Sequence, residues 1–382
     1  MYLRGAELDR TPILVFWETT KACPLACRHC RATAMSEPQP GQLSTAEGRG
    51  LIDEICRFGP HPPVLVLTGG DPLCRPDIFD LAGYAHERGV PVALAPSVTP
   101  NLNKTNIEAL KGAGVKSVSI SLDGAFARSH EDIRGVPGHF DETLDALRRL
   151  VAEGFKVQVN TTVMRSNVEE LADVAHLVSD VGAHIWEVFF LIKVGRGSEI
   201  EDLTPVENEQ VCHFLYDASR YGFVVRTVEA PFFRRVARWR AEIGPDTDAR
   251  EAFSLGPLYG RLKERSIDLM GPPTRPAACR SAGTRDGRGI VFVSHSGIVH
   301  PAGFLPAALG SVRLRGLVDI YRNHPLLRAI RRADFGGRCG VCSFKDICGG
   351  SRSRAFASSG DPLGEDPGCS FDPMTAEVGS RG

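Results

Sequence analysis

The 382-residue sequence carries almost no net charge, with 45 Lys and Arg against 46 Asp and Glu. It therefore lacks the basic field that meets nucleic acid, and no such partner is expected. It lacks any apolar run approaching the roughly 20 residues of a membrane span. Residues 1–10 contain no apolar h-region, so the chain is read as cytoplasmic, without a secretory signal. It also lacks the composition of a disordered chain: apolar residues make up 42% and charged residues 24%, enough for a sizeable core. The length suits two or three domains of about 100–200 residues, or one large barrel with an appendage. Against these absences stand 11 cysteines. In a cytoplasmic chain they argue for metal or redox chemistry over a disulfide framework.

The cysteines are unevenly placed. Cys23, Cys27 and Cys30 fall within eight residues, and Cys339, Cys342, Cys348 and Cys369 lie near the other end. Cys56, Cys74 and Cys212 read as small buried hydrophobes. Between the clusters the pattern alternates. Strands are predicted over 13–20, 63–67, 92–96, 117–122, 156–164 and 185–192, with a further one over 223–228. Helices are predicted over 44–58, 78–88, 104–111, 140–153, 168–181 and 205–221, the first opened by a Ser44/Glu47 capping box. Mostly uninterrupted apolar strands alternating with helices imply a parallel sheet covered by helices. Six units in about 215 residues suit an α/β partial barrel, (β/α)6, better than a full eightfold one. Residues 1–230 would form that barrel. Residues 231–275 would be a helical linker region, and 276–382 a small Cys-rich domain with a hairpin over 290–299 and a helix over 317–332. From Gly336 onward the chain is rich in Cys, Gly and Ser, and a metal site would supply folding energy that its apolar residues cannot.

Cys23-x3-Cys27-x2-Cys30 places three thiols on one loop after the first strand. A structural zinc wants four ligands. Three suit an iron–sulfur cube with one iron left open. In spacing and context the motif strongly resembles the signature of the radical S-adenosylmethionine (SAM) superfamily. The resemblance implies a [4Fe–4S] cluster whose open iron binds SAM, one-electron cleavage of the sulfonium, and hydrogen abstraction by a 5′-deoxyadenosyl radical. It also implies a reductant such as flavodoxin or ferredoxin. Gly69-Gly70-Asp71-Pro72 resembles the family's Gly-Gly-Glu-Pro motif, with Asp71 where Glu is usual. Ser121, in Ser-Leu-Asp-Gly, and Arg134, in Ile-Arg-Gly, resemble the pair that holds the SAM carboxylate, and Asn160 would reach the ribose.

The second cluster, Cys339-x2-Cys342-x5-Cys348 followed by Cys369, supplies four thiols. By ligand count zinc or a fully ligated [4Fe–4S] would serve. Position and spacing resemble the SPASM domain, whose fuller form has seven cysteines and two auxiliary clusters. Here Ala302 and Arg352 stand where two of those cysteines are expected, and Cys279 is left over, as a remnant or a substrate-pocket thiol. The resemblance therefore implies one auxiliary [4Fe–4S] cluster, on Cys339, Cys342, Cys348 and Cys369. His300, near the vacated position, is read as a packing residue.

The one-auxiliary-cluster pattern is similar to that of radical SAM enzymes of alternative haem and haem d1 synthesis, which act on propionate side chains of iron porphyrins. Lys193, Arg196, Arg234, Arg235, Arg238 and Arg240 are the candidate cations for such carboxylates. The alternatives are a peptide maturase, a dehydrogenase or decarboxylase of a sugar or antibiotic precursor, and a non-catalytic iron–sulfur or zinc scaffold. Only about a dozen residues precede the first strand, so a maturase would take its peptide-recognition domain from a separate protein.

Overall fold

The computed structural model describes residues 5–32, 34–244, 247–279 and 283–374. Seven strands lie in chain order across a parallel sheet: β1 (Leu14–Thr20), β2 (Val64–Gly69), β3 (Val92–Leu94), β4 (Ser117–Ser121), β5 (Lys156–Val163), β6 (Ile185–Phe190) and β7 (Val224–Val228). The barrel thus has a seventh unit where six were predicted, 223–228 being a full strand. An eighth parallel strand, β8 (Ile290–Val293), returns from the C-terminal third to pair with β1, Leu14 opposite Ile290. The hairpin strands β9 (Ile298–His300) and β10 (Gly310–Ser311) extend that edge antiparallel. The sheet runs β10-β9-β8-β1-β2-β3-β4-β5-β6-β7 and its two ends do not pair. It is a partial barrel.

The later strands are not uninterrupted apolar runs. β4 to β6 alternate, and one face carries Val118, Ile120, Val157, Val159, Trp186 and Val188 into the core beneath the helices. The other face presents Ser119, Ser121, Gln158, Asn160 and Glu187 to the barrel interior. An eight-stranded barrel fills its interior with side chains. This one leaves an interior cavity of about 2170 Å³.

The Ser44 capping box forms as predicted, Ser44 Oγ accepting from Glu47 N while the Glu47 carboxylate accepts from Ser44 N. The helix predicted over 317–332 is two, Leu317–Asn323 and Pro325–Arg331. Pro325 has no N–H and forces His324 into extended backbone, so it ends one helix and starts the next. The helix Pro257–Met270 of the linker region packs on Leu171–Asp180 and Pro205–Ala218, outside the barrel.

Candidate active site

The first three cysteines lie on a loop clamped from four sides. Its ends pair with each other, Cys23 N donating to Met35 O and Met35 N to Lys21 O. Gly70 N and Asp71 N donate to Thr20 O and Ala22 O. A Cβ on Gly70 would lie 2.3 Å from Ala22 O, so only glycine lets the second strand end come this close. From the loop after β6, Arg196 Nε donates to Cys27 O at 2.8 Å and Arg196 N to Cys30 O at 3.1 Å. From the helix Ala127–Arg134, which the sequence pattern missed, Arg134 Nη1 reaches Cys27 Sγ at 3.6 Å.

Arg134 also pairs with buried Asp123, and His29 Nε2 stands 3.4 Å from the same carboxylate. Burial alone would raise the Asp123 pKa, but the Arg134 guanidinium, with His29 and a hydrogen bond from Thr162 N, outweighs it and holds the carboxylate below its ordinary range.

The sulfurs receive N–H donors. Leu25 N donates to Cys23 Sγ at 3.4 Å. In the second set, Cys339 Sγ accepts from Asp366 N at 3.4 Å and Arg352 Nη2 at 3.6 Å, Cys342 Sγ from Phe344 N at 3.4 Å, and Cys348 Sγ from Gly350 N at 3.4 Å. Arg235 Nη2 lies 3.9 Å from Cys369 Sγ. Burial pushes the Cys348 thiol up to about 12 and Cys369 up to about 11. Thiols so placed give up their protons to metal far more readily than to water.

The cavity joins these parts. Cys23, Cys27, Cys30, Gly69, Gly70, Ser121, Arg134 and Asn160 line it together. Phe189, Phe292 and Phe304 add an aromatic wall, and Arg31 lies over the Phe292 ring at 4.6 Å and near Phe304 at 5.9 Å. Asp71 is not brought to the cavity. Its buried carboxylate accepts from Leu73 N, Ser97 N and Thr99 Oγ1, tying the 97–99 loop behind the glycines.

A family model, "Radical SAM superfamily", matches residues 17–178. An AdoMet-dependent heme synthase of Methanosarcina barkeri is 35% identical over 371 residues, 96% of this chain and 98% of the relative. A mycofactocin maturase of Mycobacterium tuberculosis is 31% identical, over 94% of this chain and 83% of its own. The chain belongs to the radical SAM superfamily. In the solved structures, Streptococcus suis SuiB bound to its precursor peptide SuiA superposes with a TM-score of 0.67 at 13% identity, covering 95% of this chain and 76% of SuiB. That likeness speaks for the fold.

A radical SAM enzyme uses a [4Fe–4S] cluster and SAM, and needs a reductant and a substrate. The residues here fit that cofactor. Three thiols at the cavity wall, with N–H donors beside Cys23 and Cys27, match in number a cluster that keeps one iron for SAM. Beside the second set, Gly350, at φ 64°, sits where a Cβ would lie 2.6 Å from Arg352 Nη2, 2.7 Å from Asp366 Cβ and 3.0 Å from Cys339 Sγ. No described helix of this radical SAM enzyme is long and apolar enough to cross a membrane.

The six candidate cations divide. Arg196 and Arg234 line the cavity. Lys193 is exposed, and Arg238 is exposed and paired with Glu242. Arg235 is buried against Glu209, and Arg240 against Asp217. The left-over Cys279 and Ala302, at a vacated SPASM position, line the cavity, while Arg352, at the other vacated position, is fully buried among the second cysteines. His300 is half-buried, its ring 6.1 Å from Phe292.

Sequence reasoning missed Arg31, Arg226, Glu187 and Glu229, all on the cavity. The signal for Glu187 and Arg226 was strand alternation, polar residues recurring at every second position. Arg31 directly follows Cys30. Nothing local marks Glu229, which ends β7's extension at φ 61° and accepts a hydrogen bond from Ser351. Burial first, and Asp286 beside it, push Glu229 up to about 8.

Proposed function

We propose that this enzyme oxidises a carboxylate-bearing tetrapyrrole, converting a propionate side chain of an iron porphyrin of the haem-precursor kind into a vinyl group. The observation that carries the reading is the cavity: the three-cysteine loop opens onto an aromatic wall of Phe189, Phe292 and Phe304 flanked by guanidinium groups. A planar apolar macrocycle with anionic arms needs both surfaces. Cys279 and Ala302 line the same cavity, which is large enough for a macrocycle. The heme synthase relative, matched over nearly its whole length, supports the same substrate class.

Residues 1–230 would act as the barrel, 231–275 as a helical outer layer and 276–382 as the auxiliary-cluster domain, which also lends β8 to the barrel sheet. Cys23, Cys27 and Cys30 hold the first [4Fe–4S] cluster. Gly69 and Gly70 let the SAM methionine approach backbone, Ser121 and Arg134 face its carboxylate, and Asn160 faces its ribose. Asp71 serves by fixing the 97–99 loop. Bound together, cluster and SAM supply a radical able to take a hydrogen atom from an unactivated carbon. Arg31, Arg196 and Arg234 hold substrate carboxylates. Glu229, whose carboxyl is pushed upward by burial and by Asp286, donates to another when protonated. The side chain then loses a hydrogen atom, carbon dioxide and one electron. Cys339, Cys342, Cys348 and Cys369 hold one auxiliary cluster suited to accept that electron. Flavodoxin or ferredoxin in the cytoplasm would be the reductant.

A peptide maturase is the second reading, supported by the mycofactocin maturase relative. Anaerobically reconstituted enzyme with SAM, dithionite and an iron tetrapyrrole bearing propionates should form 5′-deoxyadenosine and a vinyl product, read by mass spectrometry. 5′-Deoxyadenosine released while every tetrapyrrole is recovered unchanged would sink the substrate assignment.

A further inference from the structure

Arg352 occupies the position, with three residues intervening after Cys348, where the fuller SPASM pattern has a cysteine. Its guanidinium is 0% exposed. Nη2 donates to Cys339 Sγ at 3.6 Å, Nη1 to Pro362 O at 3.2 Å and Gly364 O at 2.6 Å, and Nε to Gly350 O at 3.2 Å, while the plane stacks on Phe335 at 4.4 Å. Three carbonyls and a sulfur therefore take its donors, and no carboxylate does. The neighbouring arginines differ. Arg235, beside Cys369, is spoken for by Glu209 in a two-pronged pair. Arg354 is spoken for by Asp366. The nearby acid Asp286 is engaged by Ser353, through both its N–H and its hydroxyl, and by the Arg352 backbone N–H; it feels the Arg352 charge without bonding the guanidinium.

A buried, positively charged group needs a partner. The charged partner within hydrogen-bond reach of the guanidinium is the sulfur set, through Cys339 Sγ. We infer that Arg352 has replaced a cluster ligand with a fixed counter-charge, and that this charge raises the reduction potential of the cluster on Cys339, Cys342, Cys348 and Cys369. The inference rests on the reading that those four cysteines hold a cluster. The physical reason is simple. Reduction adds one negative charge to a buried, already anionic group. A guanidinium hydrogen-bonded to one of its sulfurs favours the more anionic state. A cluster poised higher is a better acceptor for an electron leaving a substrate radical. The loss of a ligand and the gain of an acceptor would then be one change.

The test uses the full chain with Cys23, Cys27 and Cys30 all replaced by Ala, so that about four irons per chain report the auxiliary site alone. Its midpoint potential is read by electron paramagnetic resonance during a redox titration. Arg352→Gln should keep the iron and lower the midpoint, so that the ratio of reduced to oxidised cluster at the parent's midpoint falls at least about tenfold, 59 mV for one electron. Arg352→Lys, which keeps the charge, should restore most of that shift. Four irons with an unmoved midpoint in Arg352→Gln overturns the inference and leaves the four-cysteine reading standing. A parent chain that holds no iron overturns the four-cysteine reading instead. Iron lost from Arg352→Gln but kept by Arg352→Lys supports the same role for the charge. Iron lost from both, in chains whose circular dichroism is unchanged, assigns Arg352 to packing and overturns it.

Discussion

His213 shows how much a single buried side chain can shape the behaviour of this protein. It is 1% exposed on the helix Pro205–Ala218, with its ring 4.7 Å from Phe253. Burial, then Arg240 and Arg235, push its pKa down to about 3. Unfolded histidine titrates near 6.5. Between those values the unfolded chain takes up a proton that the native chain refuses. The stability contributed by neutral His213 is therefore fully present above about pH 6.5 and is lost as pH falls toward 3, at a slope approaching roughly 1.4 kcal/mol per pH unit. His130, also held near 3, adds the same sign. Urea unfolding of His213→Gln should show a smaller drop in midpoint between pH 7.5 and 5.5 than the parent shows. Equal drops in both proteins would mean that His213 titrates normally. Neither histidine was legible as special in the sequence, because what lowers their pKa values is the packing of residues distant in the chain.

At the scale of elements, the strand ends matter more than the strands. β2 could be seen as an apolar run with Gly-Gly at its end, and the resemblance made those glycines a cofactor contact. The structure adds a second demand on them. A Cβ on Gly70 would lie 2.3 Å from Ala22 O and 2.7 Å from Lys21 O, both backbone atoms of the cysteine loop. Neither can move without moving Cys23. Gly70→Ala should therefore displace the loop, lowering iron at the first site toward half or less of the parent value while iron bound by Cys339, Cys342, Cys348 and Cys369 is kept. Iron analysis of the variant in a Cys342→Ala background isolates the first site, and full occupancy there would show that the loop tolerates the methyl group. Strand order and the two cysteine loops were legible because apolar runs, glycines and ligand spacings are local signals. The return of β8 to β1 was not, since Leu14 and Ile290 are far apart in sequence and either could have edged a separate sheet. The break at Pro325 was available from proline chemistry alone and was overridden by the apolar period around it.

For the whole molecule, the question is what holds residues 336–374 on the barrel. This segment has two short helices, Gly337–Val341 and Arg352–Ser359, and no strand among its described residues. It borrows apolar contact: Phe344 and Phe371 pack edge-on against each other and against Trp239, at 5.5 and 5.6 Å. It is pinned by Arg354, which reaches Glu229 O at 2.9 Å and Leu191 O at 3.4 Å, and by Asn208, which donates to Gly368 O. Those contacts place it across the ends of β6 and β7, where it closes one side of the cavity through Ile347, Gly350 and Ser351. So small an apolar core leaves much of the stability to the metal. Removing iron from the second site should therefore loosen the segment without unfolding the barrel. In Cys342→Ala, trypsin should cut after Arg338 and Lys345 much faster than in the loaded parent, by about tenfold for each 1.4 kcal/mol of lost stabilisation. Peptides from 14–228 should appear at the parent's rate. Because the segment is also a wall of the cavity, the same variant should bind tetrapyrrole more weakly even before any chemistry is started. Unchanged cleavage in an iron-depleted variant would show that the aromatic contacts and Arg354 hold the segment alone, and that the auxiliary cluster serves electron transfer only.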